Sequence, residues 1–403
     1  MEKNSTGPPA CARPSHAGVF DMGSLYAALA KLHDARKARG KRYALALVLL
    51  LVVLAKLCGE DLPLGIAQWV RARRETLIRA LGLKRAHLPC LNTYRRVLSD
   101  AVDSAELTEV VSQFLLCQER TGGYQSVAIC IDGKTLRGTI PTGESRGVHL
   151  LAAYLPEEGI VLMQVAVEAG KENEITAAPR LLSCLDLRGK VVMADAMLTQ
   201  RELSVQVVEG GGEYIWRVKE NQPWALECLQ AHFGPEHCVK GFSPGVTDYR
   251  CAQRYDKGHG RLENRQIRVS SALKGFLDWP HMEQVFQLQR DALHTKTGEA
   301  THEEVYGLTS LTAQEAGPER LLELTRLYWE IENGLHYRRD KTLREDATQT
   351  IAHTTLGQAM AIINNLIVGM VLHASSWRYL PDARRHYDAH PDEALHLLLH
   401  TPV

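Results

Sequence analysis

The sequence predicts an α/β protein with a helical, strongly basic front, and three features carry that expectation. Between about residues 126 and 218, short continuous apolar runs alternate with helical apolar stripes, the texture of an α/β core. From about 22 to 118 apolar residues recur at helical spacing instead. Two more helical stretches follow, Pro318 to about Asn333 and Thr348 to about His373, the latter apolar nearly all round and therefore buried. The 403 residues are 45% hydrophobic and 23% charged, enough to bury large cores, which excludes wholesale disorder and collagen-like or low-complexity classes.

In chain order, residues 1–21, with Pro8, Pro9 and Pro14, are expected to form a disordered leader. Residues 22–120 are expected to be a helical domain. Its most hydrophobic stretch, Tyr43 to Ala55, has thirteen residues, short of the ~20 a membrane span needs, and reads as a buried helix. Between Lys31 and Arg96 fifteen basic residues stand against four acidic ones, although the whole chain balances forty-seven against forty-seven. That local excess predicts a polyanion-binding front, with a solvated basic helical face as the competing reading. Asn92 or Thr93 is placed to cap a short helix carrying Tyr94, Arg95 and Arg96, compatible with a helix-turn-helix-like unit.

The Gly122-Gly123 pair marks the boundary to the core, 121–375. Ser126 to Ile131 reads as a central strand ending in an Asp132-Gly133-Lys134 turn, and Val148 to Tyr154 with Ile160 to Glu168 as the rest of a three-stranded meander. A helix at Glu174 to Leu185, a strand at Lys190 to Ala194, a helix at about Thr199 to Val208 and a strand at Tyr214 to Val218 complete the alternation. Strand-like pieces around Arg265 to Val269, Gln284 to Leu288 and Val305 to Leu308 predict a β-rich insertion at about 236–311. Residues 376–403, with His386, His390, His396 and His400, read as a polar tail. Nine widely spaced cysteines with no C-x-x-C pair predict reduced thiols and a cytoplasmic protein.

Asp132 and Asp195 each follow a hydrophobic strand, so both carboxylates are expected at strand ends where they can converge. Two such groups plus a third from a helix make a hard oxygen site suited to Mg²⁺ or Mn²⁺. Two ions ~3.5–4 Å apart in such a site drive in-line phosphoryl displacement. For the third carboxylate, Glu323, Glu330 and Glu332 compete, and the pattern alone leaves the choice open.

Seven segments, in order and at matching separations, bring a resemblance into view: Ile131 to Gly138 (IDGKTLRG), Asn173 to Ala177 (NEITA), Asp195-Ala196-Met197, Lys219 to Gln222 (KENQ), His259 to Arg265 (HGRLENR), Tyr328 to His336 (YWEIENGLH) and Leu343 to Ala347 (LREDA). From about 25 to about 375 the chain resembles the DDE transposases of bacterial insertion sequences, in their H-repeat-associated branch. The resemblance implies an RNase H-like catalytic core with the β-rich insertion, behind an all-α N-terminal domain. It assigns the acidic triad to Asp132, Asp195 and Glu332, holding a pair of Mg²⁺ or Mn²⁺ ions.

The implied activity is cleavage at terminal inverted repeats followed by attack of the freed 3′ hydroxyl on target DNA, both phosphoryl transfers served by one site. Implied partners are double-stranded DNA and further copies of the chain, with no membrane and no organic cofactor. Arg339 and Lys341 resemble the basic position after the glutamate and would contact a phosphate near the scissile bond. Lys134, Arg137, Lys219, Asn221, His259, Arg261 and Arg265 are further candidate DNA contacts, and Arg73, Arg74, Arg95 and Arg96 represent the basic front. One departure stands out: four residues before Glu332, where related elements carry Arg or His, this chain has Tyr328. A catalytically silent, domesticated DNA-binding protein is the alternative function.

Overall fold

The computed structural model describes residues 21–117, 127–234, 248–258, 260–347, 354–372 and 377–400. Nearly all of the expected leader, the Gly122-Gly123 boundary and His259 lie outside the described residues. The helical front consists of α1 (Leu25–Leu29), α2 (Leu45–Leu57), α3 (Pro63–Ala72), α4 (Arg74–Ala80), α5 (Leu91–Arg96) and α6 (Ser104–Leu116). The core follows as β1 (Ala128–Thr135), β2 (His149–Leu155), β3 (Ile160–Val167), α7 (Glu174–Ser183), β4 (Val191–Ala194), α8 (Arg201–Glu209), β5 (Glu213–Val218) and α9 (Pro223–Phe233). Then come β6 (Arg250–Gly258), β7 (Arg261–Ser270), β8 (Gln284–His294), β9 (Ala300–Thr309) and α10 (Pro318–Leu327). Helices α11 (Thr354–Leu372), α12 (Leu380–Ala389) and α13 (Pro391–Leu399) end the described chain.

The nine strands among the described residues form one mixed sheet in the order β3-β2-β1-β4-β5-β9-β8-β7-β6. β1, β2 and β3 are an antiparallel meander, β1, β4 and β5 run parallel, and β9 returns antiparallel on β5. The expected insertion is thus four strands that prolong the sheet. The expected turn at Asp132-Gly133-Lys134 is instead the second half of β1: parallel pairing to β4 stops at Ile131, while antiparallel pairing to β2 continues to Thr135. A strand outlasts its apolar run when one neighbour still satisfies its backbone.

Alternation along β1, β4 and β5 sends side chains to two cores. Ile131, Ala194 and Trp216 join the core packed with α7, α8 and α9. Cys130, Met193 and Ile215 join the larger core, which also takes in α1–α6 and α10–α13. Every residue of α2 is buried, Lys56 included, so this helix needs cover on all sides. The front helices therefore share a core with α11–α13 and the sheet instead of standing apart from them. α11 is long and apolar enough to cross a membrane, but 83% of the relevant stretch is buried inside the protein.

Residues 377–400 correct the expectation of a polar tail, because each of α12 and α13 lays a narrow apolar stripe (Leu380, Ala383, Tyr387; Ala394, Leu395, Leu398) on the core. Arg384 of α12 is buried among charges from the front: it meets Asp61 at 2.7 Å and donates to the Lys56 carbonyl at 3.0 Å. Lys56 Nζ stands 3.6 Å from the same Asp61. Burial pushes the Lys56 ammonium down from 10.5 to about 8, against the pull of Asp61 and Glu345 and with the push of Arg384. Since the unfolded chain keeps this proton to about 10.5, folding gains stability as pH rises from about 8 toward 10.5. The urea midpoint of wild type should therefore rise relative to that of Lys56→Met across that window; a constant difference would refute the buried charge.

Candidate catalytic and metal site

Asp132 and Arg217 lie on the parallel strands β1 and β5, and Asp195 directly follows β4, which runs between them. Ile131 pairs with Ala194 and Ala194 with Trp216, so the residues that follow are level with one another. Because Ile131, Ala194 and Trp216 face the α7–α9 core, alternation turns Asp132, Asp195 and Arg217 toward α10 and the segment after it. Asp195 also ends β4 as an N-cap, its Oδ1 accepting from the Leu198 amide at 3.3 Å.

The opposite wall comes from Ile331–His336, a π-helical continuation of α10 that brings Glu332 and His336 forward. It lies close on the sheet because Gly334 has no Cβ, which would stand 2.9 Å from the Tyr154 hydroxyl. Asp132, Glu332 and His336 each offer a ligand atom within 4.8 Å of the others. His336 Nε2 is 3.2 Å from Asp132 Oδ2, yet it is misaligned for a hydrogen bond, and both buried ring nitrogens lack a hydrogen-bond partner. Two carboxylates with an orphaned buried imidazole fit a divalent cation. Of the glutamates left open by the sequence, Glu332 joins Asp132, Glu323 pairs with Arg320 at 3.2 Å, and Glu330 lies against Gly334.

Asp195 stands outside the 4.8 Å group but shares its field. Burial raises its carboxyl above the usual range against the Leu198 amide, and the negative charges of Glu174 and Asp132 raise it further. Glu174, the first residue of α7, occupies the space over Gly133, where a Cβ would be 2.2 Å from its Oε1. His149 Nε2 meets Glu174 Oε1 at 2.7 Å, and Thr135 Oγ1 meets His149 Nδ1 at 2.8 Å. Tyr328 faces the same carboxylates: burial, then Asp132 and Asp195, push its phenol up.

Comparison with known sequences bears on this carboxylate cluster. Residues 123–366 match the transposase DDE domain, and residues 26–115 match the domain associated with it. The chain belongs to the transposase DDE domain family. YncI of Escherichia coli O157:H7, whose name carries the word transposase, is 30% identical over 338 residues, 82% of this chain and 83% of its own length. The H repeat-associated protein YhhI of E. coli strain K12 is 26% identical over 342 residues, 81% of this chain and 85% of its own. A cryo-EM structure of the piggyBac transposase synaptic complex with hairpin DNA aligns with a TM-score of 0.42 and 8% identity, covering 92% of this chain and 78% of that one. DDE transposase domains imply use of a divalent metal, and the acidic group around Asp132 is able to hold one.

Within the DDE domain the basic residues separate into exposed and internally paired. Arg339 is 0% exposed, so it cannot reach a phosphate as expected; its guanidinium is held by Glu345, Nε to both carboxylate oxygens at 3.0 Å. Lys134 is spent similarly, 2.7 Å from Asp340 and 3.9 Å from Asp346. Arg265 pairs with Glu263 at 2.6 Å and Asp256 at 3.7 Å, and Asn221 donates to the Ala196 carbonyl at 2.6 Å, bracing the turn after Asp195. Lys219, Arg261 and Lys341 are exposed, as is Arg137 beside Asp346. In the associated domain, Arg74, Arg95 and Arg96 are exposed while Arg73 stacks on Trp69 at 4.3 Å and stands 3.6 Å from Asp388.

Sequence reasoning passed over His336, Glu174, His149 and Arg217. Glu174 lies in the segment NEITA and His336 in YWEIENGLH, and Arg217 is the one charged residue in the stretch YIWRV, on the face of Ile215. Those were the available signals.

Proposed function

We propose that this DDE-family protein is a transposase that cuts DNA at the terminal inverted repeats of its element and transfers the freed 3′ hydroxyl into target DNA. The observation that carries the reading is the meeting of Asp132, Glu332 and His336 within 4.8 Å, beside Asp195 one strand over. Support for an RNase H-like core comes from the order β3-β2-β1-β4-β5, with an antiparallel meander joined to parallel strands and an acid on each of the two central ones. Asp132, Asp195 and Glu332 would hold Mg²⁺ or Mn²⁺ as a pair, and His336 would orient Asp132 or join it as a ligand. Bound there, the ions supply Lewis acidity at the phosphate and a more acidic attacking hydroxyl.

The chain's own groups then have definite tasks. Asp195 is fixed by the Leu198 amide and, through Ala196, by Asn221, which holds its carboxylate at the end of β4. The exposed basic residues of α3–α5, among them Arg74, Arg95 and Arg96, suit duplex DNA and predict binding that weakens steeply with salt. Cytoplasmic location and assembly of several copies on DNA complete the proposal.

The test incubates DNA carrying the repeats that flank the gene with Mg²⁺, Mn²⁺ or EDTA. Metal-dependent nicking and joining at the repeat ends is the expected result. Specific binding without cleavage under any metal would leave a domesticated DNA-binding protein.

A further inference from the structure

Arg217 is one residue past the Ala194–Trp216 pair, as Asp132 is one past the Ile131–Ala194 pair and Asp195 one past Ala194, yet among the described residues it has no ion pair within 4.0 Å. Its guanidinium lies over two rings of the facing helix, 4.7 Å from the centre of Tyr328 and 4.9 Å from that of Trp329. The nearest influences are charges at longer range: burial lowers its pKa, while Tyr328, Glu303, Asp195 and Cys130 offset part of that cost. Neighbouring arginines of the sheet and α10 are consumed by acids, Arg265 by Glu263, Arg290 by Glu263 and Glu303, and Arg326 by Asp256. Arg217 differs in that, among the described residues, its guanidinium meets no acid within 4.0 Å and rests instead against two aromatic rings.

We infer that Arg217 is the phosphate-gripping residue of this site, donating its N–H edge to a non-bridging oxygen of the phosphate at, or next to, the scissile bond. The inference rests on the transposase reading above. The chemistry argues for it in two steps. A DNA phosphate brought to three carboxylates meets strong repulsion, and a fixed cation in the same row offsets it where solvent is displaced. Charge on the equatorial oxygens must also be held through the transition state, and a guanidinium already seated against two rings does this with little reorganisation. Tyr328 then contributes the surface that aims the cation, in place of a cation of its own. A purely structural alternative would make Arg217 only the counter-charge that lets Asp132 and Asp195 coexist.

The test is a cycle between protein and DNA. Arg217→Gln and Arg217→Lys are assayed on end DNA with Mg²⁺, and again with a neutral methylphosphonate replacing the scissile phosphate and each phosphate flanking it in turn. On ordinary DNA Arg217→Gln should cleave about 10²-fold more slowly at saturating DNA, with Arg217→Lys recovering part of the loss because it restores charge but not the planar fork. At one methylphosphonate position the penalty of Arg217→Gln should vanish, since the oxygen it served is gone. An equal penalty at every position, or a change confined to the Mg²⁺ concentration required, would overturn the inference in favour of the counter-charge role. Wild-type protein that binds the ends yet never nicks would overturn the transposase reading itself, and this assignment with it.

Discussion

Asp195→Asn is expected to slow metal-dependent DNA cleavage by about 10³-fold or more while raising the melting temperature of the metal-free protein. The two effects have one cause. Without a cation, Asp195 is a partly buried carboxylate whose ionisation is opposed by burial and by the charges of Glu174 and Asp132. Neutralising it relieves that repulsion and keeps an oxygen to accept from the Leu198 amide. Metal-assisted displacement is worth several kcal/mol, and at 1.36 kcal/mol per tenfold the loss of one carboxylate ligand reaches about 10³-fold. Mg²⁺ or Mn²⁺ should raise the melting temperature of wild type more than that of the variant, by the linkage of binding to folding. Scanning calorimetry with and without metal, beside the nicking assay, checks both halves. A variant that melts lower than wild type in EDTA would mean that Asp195 is a structural cap and not a ligand.

What could be read from the sequence followed the physics of each segment. Apolar runs buried on both faces, such as those of β1, β4 and β5, announce themselves, and so does a helix apolar all round such as α11. Strand β6 escaped notice because its residues are polar on both faces, and its pairing with β7 is what makes it a strand. The C-terminal helices escaped because one narrow apolar stripe in a His-rich segment resembles a solvated tail. Asp132 and Asp195 were visible because each follows a hydrophobic run. The nearness of His336 to Asp132, of Glu174 to Gly133 and of Arg217 to Tyr328 depends on tertiary packing, which no local pattern encodes. Arg339 shows the converse error: a basic residue soon after the glutamate looks available for DNA until its burial against Glu345 is seen.

That pair carries the second large effect, in stability. Glu345→Ala is expected to destabilise the protein by about 3–5 kcal/mol, because it strands a guanidinium that is 0% exposed. Burial opposes ionisation of Glu345, but the charge and hydrogen bonds of Arg339, with help from Asn364 and Lys134, prevail and hold its carboxyl below the usual 4.5. Its stabilising share is therefore present above about pH 4.5 and is lost as pH falls through the lower folded value. The consequences extend to the site. Asn364 of α11 donates to Glu345 at 2.7 Å, Arg384 of α12 donates to the Thr342 carbonyl at 2.6 Å, and Lys134 of β1 grips Asp340 at 2.7 Å. These bonds tie down the stretch immediately after the π-helical turn that presents Glu332 to Asp132. Urea denaturation should give the loss in midpoint for Glu345→Ala, and the double variant Arg339→Met with Glu345→Leu should recover most of it by replacing the ion pair with apolar volume. The single variant should also lose cleavage under conditions where it remains folded, as Glu332 is released from its anchor. If Glu345→Ala instead melts within about 0.5 kcal/mol of wild type, the size of an ordinary surface substitution, Arg339 is not buried as a charge and the anchoring of Glu332 must lie elsewhere.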